Sequence, residues 1–555
     1  MEALERITIG DKLDEIAARF PDHDAVVYAD RDYRRSYREF VEECETVGRG
    51  LMALGVEKGD KVAIWAANHQ QWIINMFATA KIGAIMVTVN TSYKIFELEY
   101  LVRQCDCATL ILMDGYRDID YIDIIYQLNS QLKDTKPGES QFKQFPFLKN
   151  VIYFGDKPAP PGMFHWNQLY ELANQVTVEQ LRERQASLDP DDIINMQYTS
   201  GTTGYPKGVM LTHYNLVNNG KSIGDCMAFT ENDRLCIPVP FFHCFGMVLA
   251  ILASMTHGTA MIPVEQFNAL KVMEAIDQEN CTAVHGVPTM FIAMLEHPEF
   301  SRFKFSHLRT GIMAGSPCPV KVMQQVVDQM HMSEITIVFG QTESSPGCTQ
   351  TRTYDSLEKR VNTVGRVLPF VEAKIIDPET GRLQPPGVPG EFCARGYNIM
   401  KGYYKMPEAT AQAIDEEGWL HTGDLATVDE EGYYKITGRI KDMIIRGGEN
   451  IYPKEIEEFL YTHEGVSDVQ VIAIPSRKYG EEAMAYVIRK EGSAVTEEEL
   501  KEYCLSHLAR HKCPKHIGFI DAFPMTASGK IQKFKLREMA IEELQLQDDD
   551  QIETA

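Results

Sequence analysis

Short apolar runs alternate with stretches of helical apolar spacing from about residue 35 to 345. Lys61–Trp65, Ala84–Val89, Thr109–Met113 and Ile335–Phe339 are such runs. Each is too short for a buried helix and rich in β-branched residues, so each reads as a buried strand. Strands separated by amphipathic helices predict parallel sheets covered by helices. Leu13 to Phe20 has helical spacing, Phe241 to Met255 reads as a buried helix, and Gln131 to Gly162, rich in Lys, Gly, Pro and Gln, reads as a surface excursion.

After about residue 360 the texture changes to short strands bounded by turns, such as Ala373–Ile376 and Gly432–Ile436, which predicts a small β-barrel-like part. Beyond it comes a compact α+β pattern: helix 453–463, strand 469–474, strand 483–489 and helix 496–508. The expected division is a large α/β domain over 1–440 and a small C-terminal domain over 441–555.

Between the predicted strands Ile193–Met196 and Val209–Leu211 lies Tyr198-Thr199-Ser200-Gly201-Thr202-Thr203-Gly204-Tyr205-Pro206-Lys207-Gly208. Its glycines let backbone N–H groups approach phosphate oxygens, its hydroxyls add donors, and Lys207 supplies a mobile charge. The loop therefore predicts a polyphosphate ligand, ATP. In the ordinary P-loop a Ser or Thr follows the lysine and holds Mg²⁺. Gly208 stands there instead, so a metal ligand must come from elsewhere and the chemistry need not be γ-phosphoryl transfer.

At 555 residues the chain exceeds one ordinary core. Its formal charge of −24 argues against a nucleic-acid binder. The twelve cysteines form neither a disulfide framework nor a CxxC zinc pattern and read as reduced thiols of a cytoplasmic protein. No run suits a transmembrane helix, and neither a signal peptide nor an SKL-type address is expected from the ends.

Phe339-Gly340-Gln341-Thr342-Glu343-Ser344 follows an apolar strand with a polar turn, the place where α/β sheets put ligand chemistry. Glu343 there either holds Mg²⁺ or is a structural carboxylate. Gly418-Trp419-Leu420-His421-Thr422-Gly423-Asp424 is followed fifteen residues later by Arg439. A carboxylate and a guanidinium suit the hydroxyls of a ribose. Lys530, on the turn Thr526-Ala527-Ser528-Gly529, reads by itself as a solvated lysine.

In this order the segments, from Asn90-Thr91-Ser92-Tyr93 to Lys530, resemble the adenylate-forming superfamily of acyl-CoA synthetases, luciferases and peptide-synthetase adenylation domains. The resemblance implies a carboxylate attacking the α-phosphorus of ATP to give acyl-AMP and pyrophosphate, after which the coenzyme A thiol displaces AMP. It implies that Thr199 to Lys207 bind the β- and γ-phosphates, with Thr199 and Glu343 near Mg²⁺. It implies that Gly315-Ser316-Pro317 and Ile337 to Thr342, including Phe339, Gly340 and Gln341, flank the adenine, and that Asp424 and Arg439 hold the ribose. Lys530 would bridge the carboxylate and the α-phosphate. Rotation of the small domain about Lys441 would then bring Gly447-Gly448-Glu449 toward the thiol.

Peptide-synthetase adenylation domains carry an aspartate in the segment matching Phe241-Phe242-His243-Cys244-Phe245-Gly246, and this chain has none, so an amino-acid substrate is not expected. Acetate-activating relatives place tryptophan at the position of Gly340, and glycine would leave the acyl pocket open. The expected lining, Phe241 to Leu249 and Val287 to Leu295 with Met313, is apolar. At about 0.8 kcal/mol per methylene it could favour medium chains over acetate. His243 lies at the carboxylate end of that pocket or is a packed histidine. The expected function is an AMP-forming medium-chain fatty acyl-CoA synthetase. An aryl or alicyclic carboxylate ligase, and a nucleotide-binding regulator on the same scaffold, are the alternatives, and a homodimer stays open.

Overall fold

The computed structural model describes residues 3–139, 142–199, 206–315, 318–446, 449–508, 510–526 and 530–546. The chain forms two compact units. One comprises Met1–Val361, Gly365–Ala373 and Ala394–Leu420, the other Asn362–Val364, Lys374–Cys393 and His421–Ala555.

The first unit holds two large sheets. In the eight-stranded sheet the order is Gly402–Tyr403, Lys207–Thr212, Ile193–Thr199, Ile85–Thr88, Lys61–Trp65, Cys107–Leu112, Asn150–Tyr153 and Phe164–His165. All neighbours are parallel except the two pairs that Lys207–Thr212 makes. In the seven-stranded sheet the order is Glu334–Thr336, Thr310–Ile312, Ala283–Val284, Arg234–Ile237, Ala260–Pro263, Asp24–Tyr28 and Tyr33–Ser36, parallel but for the last pair. Strands buried on both faces carry the continuous Val/Ile/Leu runs read from the sequence.

The helices begin and end where local chemistry dictates. Thr8 caps Ile9–Arg19 by accepting the Asp11 N–H, and Ser36 and Glu39 form a capping box at Tyr37–Ala53. Gly83, at φ 73°, ends Gln70–Ile82 in the left-handed conformation that glycine adopts without a Cβ penalty.

Three expectations are corrected. The segment 131–162 is only in part a surface excursion: Lys133, Lys136, Lys143 and Lys149 are exposed, but Leu132, Phe142, Phe145, Leu148 and Val151 are buried, and Asn150–Tyr153 is an inner strand of the eight-stranded sheet. Phe241–Met255 is buried but is not one α-helix. A turn leads into a π-helix over Phe245–Leu252 and then a short α-helix, Ala253–Met255. The β-rich part is not barrel-like among the described residues, because Val371–Ile376, Gly390–Gly396, Leu420–Val428 and Tyr434–Arg439 form an open four-stranded sheet.

The second unit also carries the sheet built on the hairpin Val466–Ser476 and Gly480–Arg489. Alternate positions on those strands face opposite sides. Val469, Val471 and Ala485 pack with Ile456, Leu460 and Leu500, whereas Ile472, Ile474, Met484 and Tyr486 pack with Leu536 and Ala540. The helices Pro453–Leu460 and Glu497–His507 thus cover one face and Lys533–Glu543 the other. All twelve cysteines are free. Among the described residues no helix is long and apolar enough to cross a membrane.

Candidate functional site

The glycine-rich loop joins two antiparallel strands whose last paired residues are Thr199 and Lys207. Its base is therefore fixed by a β-ladder. Ser200, Gly201, Thr202, Thr203 and Gly204 lie outside the described residues. Tyr100 steadies the loop's return by donating its hydroxyl to the Pro206 carbonyl at 3.1 Å.

Glu343 sits in a short 3₁₀ turn, Thr342–Ser344, and is buried. Its Oε1 accepts a hydrogen bond from the Tyr403 hydroxyl at 2.8 Å and a longer one from Thr199 Oγ1 at 3.4 Å. Oε2 has no hydrogen-bond partner among the described residues. The family resemblance implied that Thr199 and Glu343 lie together, and the structure brings them within 3.4 Å. It adds Tyr403, which sequence reasoning missed. Tyr403 reaches the loop because its strand pairs with Lys207–Thr212, with Val209 opposite Tyr403. The Lys207 ammonium lies 4.9 Å from the centre of the Tyr403 ring, within cation–π range. Burial and the neighbouring carboxylate of Glu343 push the Tyr403 phenol up from its ordinary value, so it stays a donor at neutral pH.

The strand Val338–Gly340 that leads to Glu343 pairs with Gly347–Gln350. A Cβ at Gly340 would lie 1.8 Å from the Pro346 carbonyl oxygen, so only glycine fits this approach. Asn219 secures the partner strand, accepting from the Gly347 N–H at 3.0 Å and donating to its carbonyl at 2.9 Å. Gln341 accepts from Ser344 N–H at 2.8 Å, which closes the turn, and Thr342 is buried beside Cys244. Phe339 is half-buried. Gly315 has φ 89°, a left-handed conformation that suits glycine, and Ser316 and Pro317 lie outside the described residues.

His243 is half-buried at the turn before the π-helix. Its Nδ1 accepts the Phe245 N–H at 3.1 Å, which places the proton of a neutral ring on Nε2. The same turn requires Gly246, where a Cβ would approach Pro240 O to 2.3 Å. Beneath the π-helix the fully buried His285 donates from Nε2 to Leu249 O at 2.9 Å while its Nδ1 accepts Ile312 N–H at 3.2 Å. Burial lowers its pKa to about 4, so it remains neutral and ties the irregular helix to the sheet. Of the residues expected to line an acyl pocket, Phe241, Met247, Leu249, Phe291, Met294 and Met313 are buried, whereas Thr289, Ile292 and Leu295 are half-buried.

In the second unit Asp424 and Arg439 face each other across an antiparallel pair, with Arg439 Nε donating to Asp424 Oδ1 at 3.0 Å. Burial raises the Asp424 pKa, opposed by the charges of Arg439 and, more weakly, Lys530. Asp424 is buried and Arg439 half-exposed, so the pair presents a polar edge on a dry floor. Lys530 is held by two contacts with Thr526: its N–H donates to Oγ1 at 3.0 Å and its carbonyl accepts the Thr526 N–H at 2.7 Å. Lys441 is an exposed residue of the 3₁₀ turn Ile440–Asp442. Gly447 and Gly448 lie outside the described residues, and of Glu449 only its place in the strand Glu449–Ile451 is described.

Comparison with known proteins gives a consistent answer. The family model described as AMP-binding enzyme matches residues 13–404, and that of the AMP-binding enzyme C-terminal domain matches residues 455–530. A putative acyl-CoA synthetase, YngI of Bacillus subtilis (strain 168), is 56% identical over 98% of both chains. The mitochondrial medium-chain acyl-CoA ligase ACSF2 of Mus musculus is 39% identical over 98% of this chain and 89% of its own. The crystal structure of the anthranilate CoA ligase AuaEII in complex with anthranoyl-AMP is 26% identical with a TM-score of 0.84, covering 98% of this chain and 99% of that one. ATP-bound MatB from Rhodopseudomonas palustris is 28% identical with a TM-score of 0.82, over 97% and 100% of the two chains.

Proposed function

We propose, from the premise that the chain belongs to the AMP-binding enzyme family and is an AMP-forming acid–thiol ligase, that its acid is a medium-chain fatty acid and that Glu343 carries its magnesium. The observation that carries the metal reading is the divided use of Glu343, whose Oε1 is taken by Tyr403 and Thr199 while Oε2 has no partner among the described residues. A hard cation prefers such an oxygen ligand together with phosphate oxygens and water. When bound it would offset the charge of the phosphates. Thr199 supplies a hydroxyl beside it, and Lys207 and the loop serve the β- and γ-phosphates.

Asp424 is read as the acceptor of ribose hydroxyls, with Arg439 orienting it. Phe339 to Thr342 and Gly315 to Pro317 are read as the adenine walls. Lys530 bridges the substrate carboxylate and the α-phosphate, two anions that repel until a cation lies between them. His243, with its proton on Nε2, faces the carboxylate end of the acyl pocket. Lys441 is read as the hinge, and Gly447, Gly448 and Glu449 as the approach for the coenzyme A thiol. A reduced cytoplasmic setting fits the twelve free thiols.

The medium-chain assignment rests on the buried apolar lining and on the likeness to ACSF2. Its test is AMP release with ATP and coenzyme A across acetate, butyrate, hexanoate, octanoate, palmitate, benzoate and cyclohexane carboxylate. The expected maximum in kcat/KM falls at hexanoate to octanoate, with acetate lower by about 10²-fold or more at roughly 0.8 kcal/mol per methylene. A maximum at benzoate would replace this reading with an aryl ligase, in line with the anthranilate ligase likeness.

The Tyr403 hydroxyl supplies a sharper check on Glu343. Tyr403→Phe keeps the ring beside Lys207 and deletes the bond to Oε1. The expected result is a fall of roughly 10- to 100-fold in kcat/KM for MgATP, the worth of a hydrogen bond to a charged group. The Mg²⁺ concentration for half-maximal rate should rise and the KM for the acid change little. An unchanged Mg²⁺ dependence would remove Tyr403 from the metal site.

A further inference from the structure

Three electron-pair donors of the second unit converge on one point. Glu391 and Cys393 are two apart on the strand Gly390–Gly396 and so share a face, and His421 comes from the strand Leu420–Val428 of the same sheet. His421 Nδ1 lies 2.9 Å from Glu391 Oε2 and 3.6 Å from Cys393 Sγ, and all three donor atoms lie within 4.8 Å of one another. Glu391 and Cys393 are buried, whereas the His421 side chain is 31% exposed and gives access from solvent. The other oxygen of Glu391 accepts the Gly423 N–H at 3.1 Å, which fixes the carboxylate's orientation.

His421 Nδ1 thus faces a carboxylate and a thiol at once. A tetrahedral cation would serve all three. With bonds of about 2.3 Å to sulfur and 2.0–2.2 Å to nitrogen and oxygen, tetrahedral ligand atoms stand roughly 3.3–3.6 Å apart, against 2.9 Å and 3.6 Å for the two separations from His421 Nδ1. The Cys/His/Glu set suits a borderline-soft ion and not Mg²⁺.

We propose that Glu391, Cys393 and His421 form a binding site for a zinc-class divalent cation. On binding, the Cys393 thiol releases its proton to solvent, the imidazole carries its proton on Nε2, and the carboxylate stays ionised, so the cation's two charges are balanced within the site. Glu391 holds the Gly423 backbone next to Asp424, so the ion would shift the residues that flank Asp424 and slow the ligase reaction. That effect rests on the ribose role given to Asp424, whereas binding itself does not.

The test titrates Cd²⁺ into the metal-free full-length protein, followed by thiolate-to-cadmium charge-transfer absorbance, with Zn²⁺ as competitor. The expected result is one equivalent bound with the band absent in Cys393→Ser and the affinity down about tenfold or more in His421→Gln. Cys393→Ser should keep its metal-free ligase activity, which also reports that it folds. If it does not fold, Cys393→Ala and His421→Gln carry the same comparison. An unchanged band and affinity in these variants would overturn the site. Binding without inhibition would leave the site intact and sink the ribose role of Asp424.

Discussion

Lys530→Ala is expected to lower acyl-adenylate formation by roughly 10²- to 10³-fold, the scale of losing one electrostatic contact to charge that develops in a transition state. The turn carrying it is set by backbone and hydroxyl contacts to Thr526, none of which involve its ammonium. Removing the side chain beyond Cβ should spare these two contacts, and the loss should be electrostatic. The two half-reactions separate the role cleanly. Carboxylate-dependent exchange of pyrophosphate into ATP reports the first, and AMP release from preformed acyl-AMP and coenzyme A reports the second. The first should collapse while the second stays within a few-fold of the wild type. Lys530→Arg keeps the charge but presents a planar fork in place of a compact point charge, so it should restore only part of the loss. An equal fall in both half-reactions would show Lys530 to be structural.

The sequence disclosed whatever depends on local pattern. Lys61–Trp65 and Cys107–Leu112 are strands, as the apolar runs there predict, because apolar runs of that length can be little else once helices flank them. The loop of 198–208 lies between strands for the same reason, whereas the meeting of Thr199 with Glu343 across 144 positions was implied only by the family resemblance. Features that depend on long-range geometry were hidden. Tyr403 looks like any aromatic beside Tyr404, and only strand pairing delivers its hydroxyl to Glu343. Phe245–Leu252 is apolar on every side, so no period distinguishes an α-helix from a π-helix there. The polar residues of 131–162 masked Phe142, Phe145 and Leu148, whose rings and side chains nonetheless fill the core beside the inner strand. Glu391, Cys393 and His421 form no spaced motif, because the sheet, and not the sequence interval, brings them together.

Gly340→Ala separates two explanations of one residue. If glycine is there to open the acyl pocket, alanine should be tolerated and should shift the preferred acid toward shorter chains. The structure supports a different cause. An added Cβ would meet Pro346 O at 1.8 Å, Pro346 C at 2.9 Å and Cys348 N at 3.0 Å, all backbone atoms that no rotamer change can move. The paired strands 338–340 and 347–350 would have to separate locally, against the Asn219 contacts that hold Gly347. Between those strands lies the turn that carries Gln341, Thr342 and Glu343. The substitution is thus expected to cost about 3 kcal/mol or more, at the upper end for overpacking because backbone must give way. ATP binding should weaken with it, since Glu343 would lose its register with Thr199 and Tyr403. Denaturant unfolding and a calorimetric ATP titration measure the two effects. A fully stable variant with intact ATP affinity and a shortened acid preference would restore the pocket explanation.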